Sequence, residues 1–245
     1  SSRVWRCDIY GSADKTQLTA EGPTPGFYWD HSNVAWNPNN QKWILYAATK
    51  WTDADEYDGS AICVHDVNNG PSNPSEPATI RTPAFTLVED DPATVGDDDN
   101  ILGDPHWSYD GSKIVYYKGK RLCYRTFNGT AGTVGAEVDI TPLGIANFEP
   151  VMPRFSPQDD RVAVVNYDDD SLHVIEDLTP PVAHHLVTDD HDGVWGYNWS
   201  ADATEFVLSV WENENVYTVS DAGGALKDVT PPGFIVWSTP SWWAR

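Results

Sequence analysis

Short segments of alternating or continuous apolar residues, separated by polar turns, recur along the whole chain. The clearest example runs from Pro105 to Phe127, where Trp107 leads into an Asp110-Gly111 turn and two alternating segments follow. An Asp-Gly pair between such segments is a strong hairpin signal, because glycine readily adopts the positive φ that a tight turn needs. The 18 glycines and 18 prolines interrupt the sequence too often for long helices. The pattern therefore predicts β-structure throughout.

An aromatic residue followed by a polar one marks the start of each repeat. The spacings are 71, 48, 44 and 43 residues, for Trp36-Asn37, Trp107-Ser108, Phe155-Ser156, Trp199-Ser200 and a fifth aromatic at Trp242. After each of the first four comes a polar turn and a second apolar segment: Trp43–Tyr46, Ile114–Tyr117, Val162–Val165 and Phe206–Ser209. Segments that fit a third and a fourth strand follow. Four antiparallel strands in a period of about 40 residues are typical of a β-propeller blade.

We therefore predict an all-β fold, a single β-propeller domain over residues 1–245 with five blades of four antiparallel strands. The predicted blades cover 236–245 together with 1–22, then 32–88, 103–142, 151–188 and 195–230. The chain starts on a third strand and ends on a first, so the two termini are expected to share the closing blade. We expect the repeat-starting tryptophans to be core: Trp36, Trp107, Trp199 and Trp242. We expect the three cysteines to be small buried side chains, because they match neither zinc nor disulfide spacing: Cys7, Cys63 and Cys123.

Two parts of the chain carry a family resemblance. PHWSYDGSKIVYYKG with RLCYRTFNG, and YNWSADATEFVLSV with VYTVSDAGG, resemble the TolB-like propeller repeat. That repeat reads roughly P-x-W-S-P-D-G, an apolar strand, a strand of the form IYV-D-x-G and a closing LT; Tyr109 and Ala201 stand where it favours proline. The resemblance implies a propeller. It implies no single activity, because such repeats occur in periplasmic accessory proteins, peptidase gating domains and polysaccharide lyases.

The net charge is strongly negative. The 37 Asp and Glu against 15 Lys and Arg give −22 at pH 7, which would repel a phosphate backbone, so nucleic acid is not an expected partner. In a propeller the loops after the second and fourth strands share one face, and 22 of the acidic residues fall in these loops. Three explanations stay open: a saline habitat, longer loops on that face, or a cation site. For calcium, the candidate ligands are Asp53, Asp55 and Asp58, and Asp97 and Asp99 of a second acidic run.

Three tryptophans lie off the repeat, in the loops that join predicted blades around the channel mouth. Trp29, Trp195 and Trp237 have no core role in the repeating pattern. An exposed indole near carboxylates suits the apolar face and hydroxyl rim of a sugar ring; alternatively, these indoles pack loops against one another.

Three histidines from different predicted blades lie in the same loops: His31, His106 and His191. They are candidate ligand-binding residues, and histidine is also a common ligand of divalent transition metals. Some propeller lyases that act on acidic sugars resemble this arrangement, which implies a metal held by these three side chains.

These features predict a protein that binds a ligand without catalysis. The sequence contains no G-x-S-x-G, H-E-x-x-H or phosphate-binding glycine loop, and no catalytic residue can be assigned. We expect a glycan or another small polar ligand on the acidic, aromatic face, assisted by calcium. One alternative is a metal-assisted polysaccharide lyase or glycosidase at the channel mouth, and another is a TolB-like scaffold for a basic protein. We also expect a monomer, no membrane span and an extracellular or periplasmic location.

Overall fold

The computed structural model describes residues 4–6, 16–17, 27–52, 54, 57–68, 85–89, 102–188, 193–211, 214–230 and 240. Within these residues the chain forms strands, turns and bends, and no helix. None of the described segments is therefore a helix that could cross a membrane. The all-β prediction is confirmed for this part of the chain.

The described strands follow one another in short antiparallel meanders. Their bounds are β1 (Trp5–Arg6), β2 (Thr16–Gln17), β3 (Phe27–Trp36), β4 (Trp43–Thr52), β5 (Tyr57–Asp66), β6 (Phe85–Glu89), β7 (Leu102–Trp107), β8 (Lys113–Lys118), β9 (Arg121–Asn128), β10 (Thr133–Val134), β11 (Val138–Asp139), β12 (Pro150–Phe155), β13 (Val162–Asn166), β14 (Ser171–Ile175), β15 (His184–Thr188), β16 (Val194–Trp199), β17 (Glu205–Val210), β18 (Val216–Ser220) and β19 (Lys227–Asp228). β1 pairs with β2, and four larger sheets have the orders β3-β4-β5-β6, β7-β8-β9-β10 with β11 also on β9, β12-β13-β14-β15 and β16-β17-β18-β19. The larger sheets correspond to four of the predicted blades.

The repeated aromatic–polar pair makes the same backbone hydrogen bond in all four larger sheets. The N–H of the polar residue donates to a carbonyl at the start of the second strand or directly before it, over 2.8 to 3.0 Å: Asn37 to Trp43, Ser108 to Lys113, Ser156 to Arg161 and Ser200 to Glu205. All four polar residues are buried. A short polar side chain suits this position because it can satisfy further backbone donors within the turn. The repeat seen in the sequence is therefore a repeated turn.

The Asp110-Gly111 turn shows how the side chains hold it. The hydroxyls of Ser108 and Ser112 donate to the Asp110 carboxylate over 2.6 and 2.7 Å, and Gly111 has a φ of 66°. Partial burial opposes ionisation of Asp110, but the hydrogen bonds from Ser108 and Ser112 outweigh it and lower the pKa to about 2. The turn thus keeps a charged carboxylate at its centre.

Residues 1–119 and 125–136 form one compact unit. Here the Trp107 indole donates to the Ala35 carbonyl of β3 over 3.3 Å, and the Asn37 amide donates to the Gly111 carbonyl over 2.8 Å. Phe127 packs on Trp107 with ring centroids 5.1 Å apart. Two successive sheets are therefore joined through their repeat-start residues.

Residues 120–124 and 137–245 form the second unit, in which the same joints recur. The Trp199 indole donates to the Arg154 carbonyl of β12 over 3.2 Å, and the Gln158 amide donates to the Ala201 carbonyl over 2.7 Å. The core of this unit consists mainly of apolar residues of β13 to β18, including Val165, Leu172, Val187, Tyr197, Phe206 and Leu208. Near-continuous apolar strands fit sheets that are covered on both faces.

The core prediction for the repeat-starting tryptophans is right for Trp107 and Trp199, which are 4% and 7% exposed, and wrong for Trp36, which is 46% exposed. Trp107 and Trp199 pack on the first strand of a preceding large sheet, whereas no such sheet precedes β3 in the described residues. Trp242 lies outside the described residues. Cys63 and Cys123 are buried as predicted, and Cys7 lies outside the described residues.

The predicted closing blade is described only in part. The pairs Trp5↔Gln17 and Arg6↔Thr16 join its expected third and fourth strands, and Pro240 is the one described residue of its expected first strand. The count of five blades and the single domain over 1–245 therefore stay predictions.

Candidate functional site

The first strand of every larger sheet contains a β-bulge. The register shifts between Ser32 and Ala35 in β3, Gly103 and His106 in β7, Val151 and Arg154 in β12, and Val194 and Gly196 in β16. A bulge inserts a residue that has no partner on the neighbouring strand, and so redirects its side chain. In β16 the pairs Val194↔Val210 and Gly196↔Ser209 leave Trp195 as that residue.

The bulge directs Trp195 to the surface. Its side chain is 48% exposed, while Val194 and Tyr197 of the same strand are buried. Trp195 was predicted from the sequence as an off-repeat tryptophan, and the structure places it in an exposed position within a strand. Its backbone is held on both sides by ladder pairs, so the indole projects from a fixed base.

A second tryptophan, Trp211, completes the exposed surface. It follows β17, and its backbone N–H donates to the Gly193 carbonyl over 2.8 Å. The Trp195 and Trp211 rings are stacked, with centroids 4.3 Å apart and planes 19° apart. Trp211 is 55% exposed. We refer to Trp195 and Trp211 as the tryptophan pair.

Gly193 brings a carboxylate next to the tryptophan pair. Its φ is 74°, and a β-carbon added there would lie 3.3 Å from Asp170 Oδ2 and 3.4 Å from the β-carbon of Trp211. Asp170 and Trp211 thus both lie against Gly193, whose positive φ favours glycine. Burial, and then the negative charge of Asp169, raise the pKa of Asp170.

The Asp170 carboxylate belongs to an exposed turn between β13 and β14, residues 167–170, which we call the acidic turn. Within it Asp169 is used structurally: its carboxylate accepts hydrogen bonds from Ser171 N over 3.1 Å and from Asn166 Nδ2 over 2.8 Å. Partial burial opposes the charge of Asp169, but the hydrogen bonds from the Ser171 hydroxyl, the Ser171 N–H and Asn166 outweigh it and lower its pKa. No ion pair of Asp168 or Asp170 occurs among the described residues, and the neighbouring Tyr167 is 66% exposed.

The described residues include two of the three predicted histidines, so their proposed grouping stays a prediction. His31 lies inside β3 and His106 inside β7, not in loops as predicted, because β3 pairs with β4 along nearly its whole length. His31 is buried with its ring 5.5 Å from that of Tyr46, and His106 is half-buried. His191 lies outside the described residues. No group of three or more His, Cys, Asp or Glu that could hold a metal occurs in the described part.

The remaining predicted site residues lie mostly outside the described part. These are Trp237, Asp53, Asp55, Asp97 and Asp99. Trp29 lies in β3 opposite Lys50, again in a strand and not in a loop, and Asp58 lies in β5. The predicted calcium ligands therefore stay untested.

Sequence reasoning missed Trp211. It does not occupy a repeated position, and its only signal is an aromatic residue at the end of an apolar strand, directly before the polar run Glu212-Asn213-Glu214-Asn215. Trp211 contributes to the site by stacking on Trp195, which the bulge in β16 exposes. That bulge is visible only in the pairing of β16 with β17.

No family model matches the chain, and no curated protein matches it. Solved structures do. TolB from Acinetobacter baumannii is 15% identical over 91% of this chain and 47% of its own, with a TM-score of 0.51. The beta-propeller domain of Myceliophteria thermophila Cps50 (Swd1) is 11% identical over 90% and 76%, with a TM-score of 0.50. The chain folds as a β-propeller.

A third match to this propeller is a putative 6-phosphogluconolactonase from Bacteroides uniformis, 15% identical over 93% of this chain and 63% of its own, with a TM-score of 0.54. The propeller thus spans less than two thirds of that protein and about half of TolB. At these identities the likeness concerns the fold. TolB among the matches agrees with the resemblance carried by the repeat.

Proposed function

We propose that this propeller binds carbohydrate without catalysis and that the tryptophan pair is its ligand platform. The observation that carries the proposal is the exposure of two stacked indoles, with the Asp170 carboxylate and the β-carbon of Trp211 both lying against Gly193. Tryptophans that only packed loops together would be covered by those loops. Here about half of each side chain is open to solvent.

The chemistry around the pair suits a sugar. An indole offers a broad apolar surface to the C–H face of a pyranose ring, and aromatic side chains supply large contact areas at low entropic cost. The acidic turn supplies acceptors for ring hydroxyls, and Tyr167 adds a hydroxyl group that both donates and accepts. A site of this kind combines apolar area with a few polar groups that fix orientation.

The platform is also rigid, which favours affinity. Trp195 is fixed by the ladder pairs on either side of its bulge, and Trp211 by its bond to Gly193 and by the stacking contact. Binding to a surface that is already ordered avoids the entropic cost of ordering it.

We infer further that the chain closes as five blades. Two observations support this count: β1 and β2 pair as its third and fourth strands would, and Asn198 of β16 donates to the Pro240 carbonyl over 2.6 Å. The second contact puts residue 240 beside the first strand of the last large sheet, where the first strand of another blade would lie. Calcium at the acidic loops and an extracellular or periplasmic location belong to the same proposal.

The test is a glycan array followed by calorimetric titration of the best binders. Trp195→Ala and Trp211→Ala should each weaken binding by at least about tenfold, the usual cost of truncating a central tryptophan at a binding site. Tyr109→Ala, which removes an exposed aromatic residue from another sheet, is the matched control and should bind normally.

The proposal fails if the intact protein binds no glycan, or if both tryptophan variants bind as the parent does. Binding of a basic protein that disappears at high salt and survives both substitutions would favour the scaffold alternative, because salt screens charge contacts far more than apolar ones.

A further inference from the structure

We infer that the carbohydrate bound by the tryptophan pair is cationic, a sugar with a free amino group. This inference rests on the proposed function and specifies its ligand class. It arises from the arrangement of charge and aromatic surface around Trp195, Trp211 and Asp170.

In the part of the chain that the structure describes, the acidic turn gives the surroundings of the pair negative charge. The acidic turn contributes Asp168 and Asp170, neither of which is in an ion pair within the described residues. Lys120 reaches the foot of this turn, since it bonds to Glu149 over 2.8 Å and the Glu149 carbonyl accepts from Tyr167 N over 2.8 Å. The positive charge of Lys120 is therefore already balanced by Glu149.

An ammonium group would interact favourably with both components of the site. A cation over the face of an indole is attracted by the negative charge of the ring face, and tryptophan is the best such partner. The Asp170 carboxylate adds a charge-assisted hydrogen bond from the same side of Gly193 as Trp211. Burial and the charge of Asp169 raise the pKa of Asp170, which means that they disfavour its ionised form. A neighbouring cation would stabilise that ionised carboxylate.

A neutral sugar would use only part of this site. It would stack on the indole surface but leave the repulsion between Asp169 and Asp170 in place. An anionic sugar would meet the carboxylates directly, in a chain whose net charge is already −22. An amino sugar satisfies the aromatic surface and the charge together.

The experiment compares three oligosaccharides of equal length with the intact chain by calorimetry. They are a β-1,4-linked glucosamine tetramer, its fully N-acetylated counterpart and the glucose tetramer, each titrated at low salt and about pH 6. The glucosamine tetramer should bind about tenfold more tightly than the other two. This preference should shrink with added salt, because the charge contacts are partly exposed.

Asp170→Asn is the diagnostic variant. It should weaken binding of the glucosamine tetramer by about five- to tenfold, as expected for loss of a charge-assisted contact at a partly exposed site. The neutral tetramers should lose much less affinity, because the asparagine amide oxygen still accepts a hydrogen bond from a ring hydroxyl. The control is Glu205→Gln, the same charge change at the opposite, exposed end of β17. It should alter none of the three affinities.

Two results would overturn the inference and are distinguishable. If all three tetramers bind equally and Trp195→Ala weakens each of them, the ligand is a carbohydrate but its charge is irrelevant. If no tetramer binds and a lysine-rich peptide binds through Trp195 and Asp170, both the inference and the carbohydrate proposal are wrong.

Discussion

Trp195 is exposed because a bulge, and not the alternation of its strand, sets the direction of its side chain. In regular pairing, neighbours along β16 would point to opposite faces. The inserted position instead gives Trp195 a direction of its own. Gly193 has a comparable local role, since its positive φ favours glycine at the point where Asp170 and Trp211 both lie against it. The candidate site thus depends on two backbone irregularities.

A buried histidine in the first unit should make stability depend on pH. His65 of β5 is fully buried, and burial lowers its pKa to about 4 against the opposing effect of Asp66. In the unfolded chain a histidine binds its proton near pH 6.5. Between these values the unfolded state holds more protons, so the stability contributed by neutral His65 is complete above about pH 6.5 and declines toward pH 4, by on the order of 3 kcal/mol.

Denaturant unfolding of the parent and of His65→Gln, measured between about pH 7 and pH 4, checks this expectation. The variant should show a shallower loss of stability as the pH falls, whatever its stability at neutral pH. An equally steep loss in both proteins would show that His65 does not cause it.

At the scale of elements, adjacent sheets in each unit are joined through their repeat-start turns. Arg161 strengthens one such joint in the second unit. Its guanidinium bonds to Asp159 over 2.9 Å and Asp221 over 2.7 Å, donates to the Ala203 carbonyl over 3.0 Å, and lies 5.2 Å from the centre of the Trp199 ring. Burial opposes its charge, but the bonds to Asp221 and Asp159 outweigh it and raise its pKa.

Arg161→Lys should destabilise the protein by about 1–3 kcal/mol, because an ammonium keeps the charge but cannot match the planar, forked hydrogen bonding of a guanidinium. The measurement is the free energy of unfolding in denaturant. Arg121→Lys, at the exposed first position of β9, is the control and should change little. A similarly small effect of both substitutions would mean that the contact between the sheets does not depend on the forked hydrogen bonding of the Arg161 guanidinium.

The sequence predicted the elements better than their edges or their surroundings. The aromatic–polar repeat located four sheets because each pair forms the same turn, and turn chemistry is local. It could not show that β3 extends back to Phe27, which depends on pairing with Thr52 of β4. The exposure of Trp36 was missed for a related reason, since burial depends on which sheet packs beside a residue.

The sequence analysis predicted one part of the candidate site, Trp195, but not Trp211 or Asp170. Trp195 was identified because it stands outside the repeat, whereas Trp211 and Asp170 depend on three-dimensional neighbours. Trp211 reaches Trp195 through the bond between its own N–H and Gly193, and Asp170 comes from the preceding sheet. The repeating sequence pattern identifies the sheets, because all of them share it. A site formed by residues that differ from one sheet to the next cannot be identified from that pattern.

For the molecule as a whole, neither the propeller fold nor the charge of −22 is enough to assign a function. The fold is shared with proteins of unrelated activity and selects none of them. The charge is expected to repel polyanions, but it is spread over much of the chain. The tryptophan pair is the structural feature that favours one class of ligand, and the proposed function rests on this pair.

The most direct test of that central claim is a crystal structure of the intact protein with a bound glucosamine oligosaccharide. We predict a sugar ring in van der Waals contact, about 4 Å, with Trp195 or Trp211, and its amino group turned toward Asp170. A sugar bound elsewhere on the propeller, with the tryptophan pair unoccupied or covered by another part of the chain, would contradict the account.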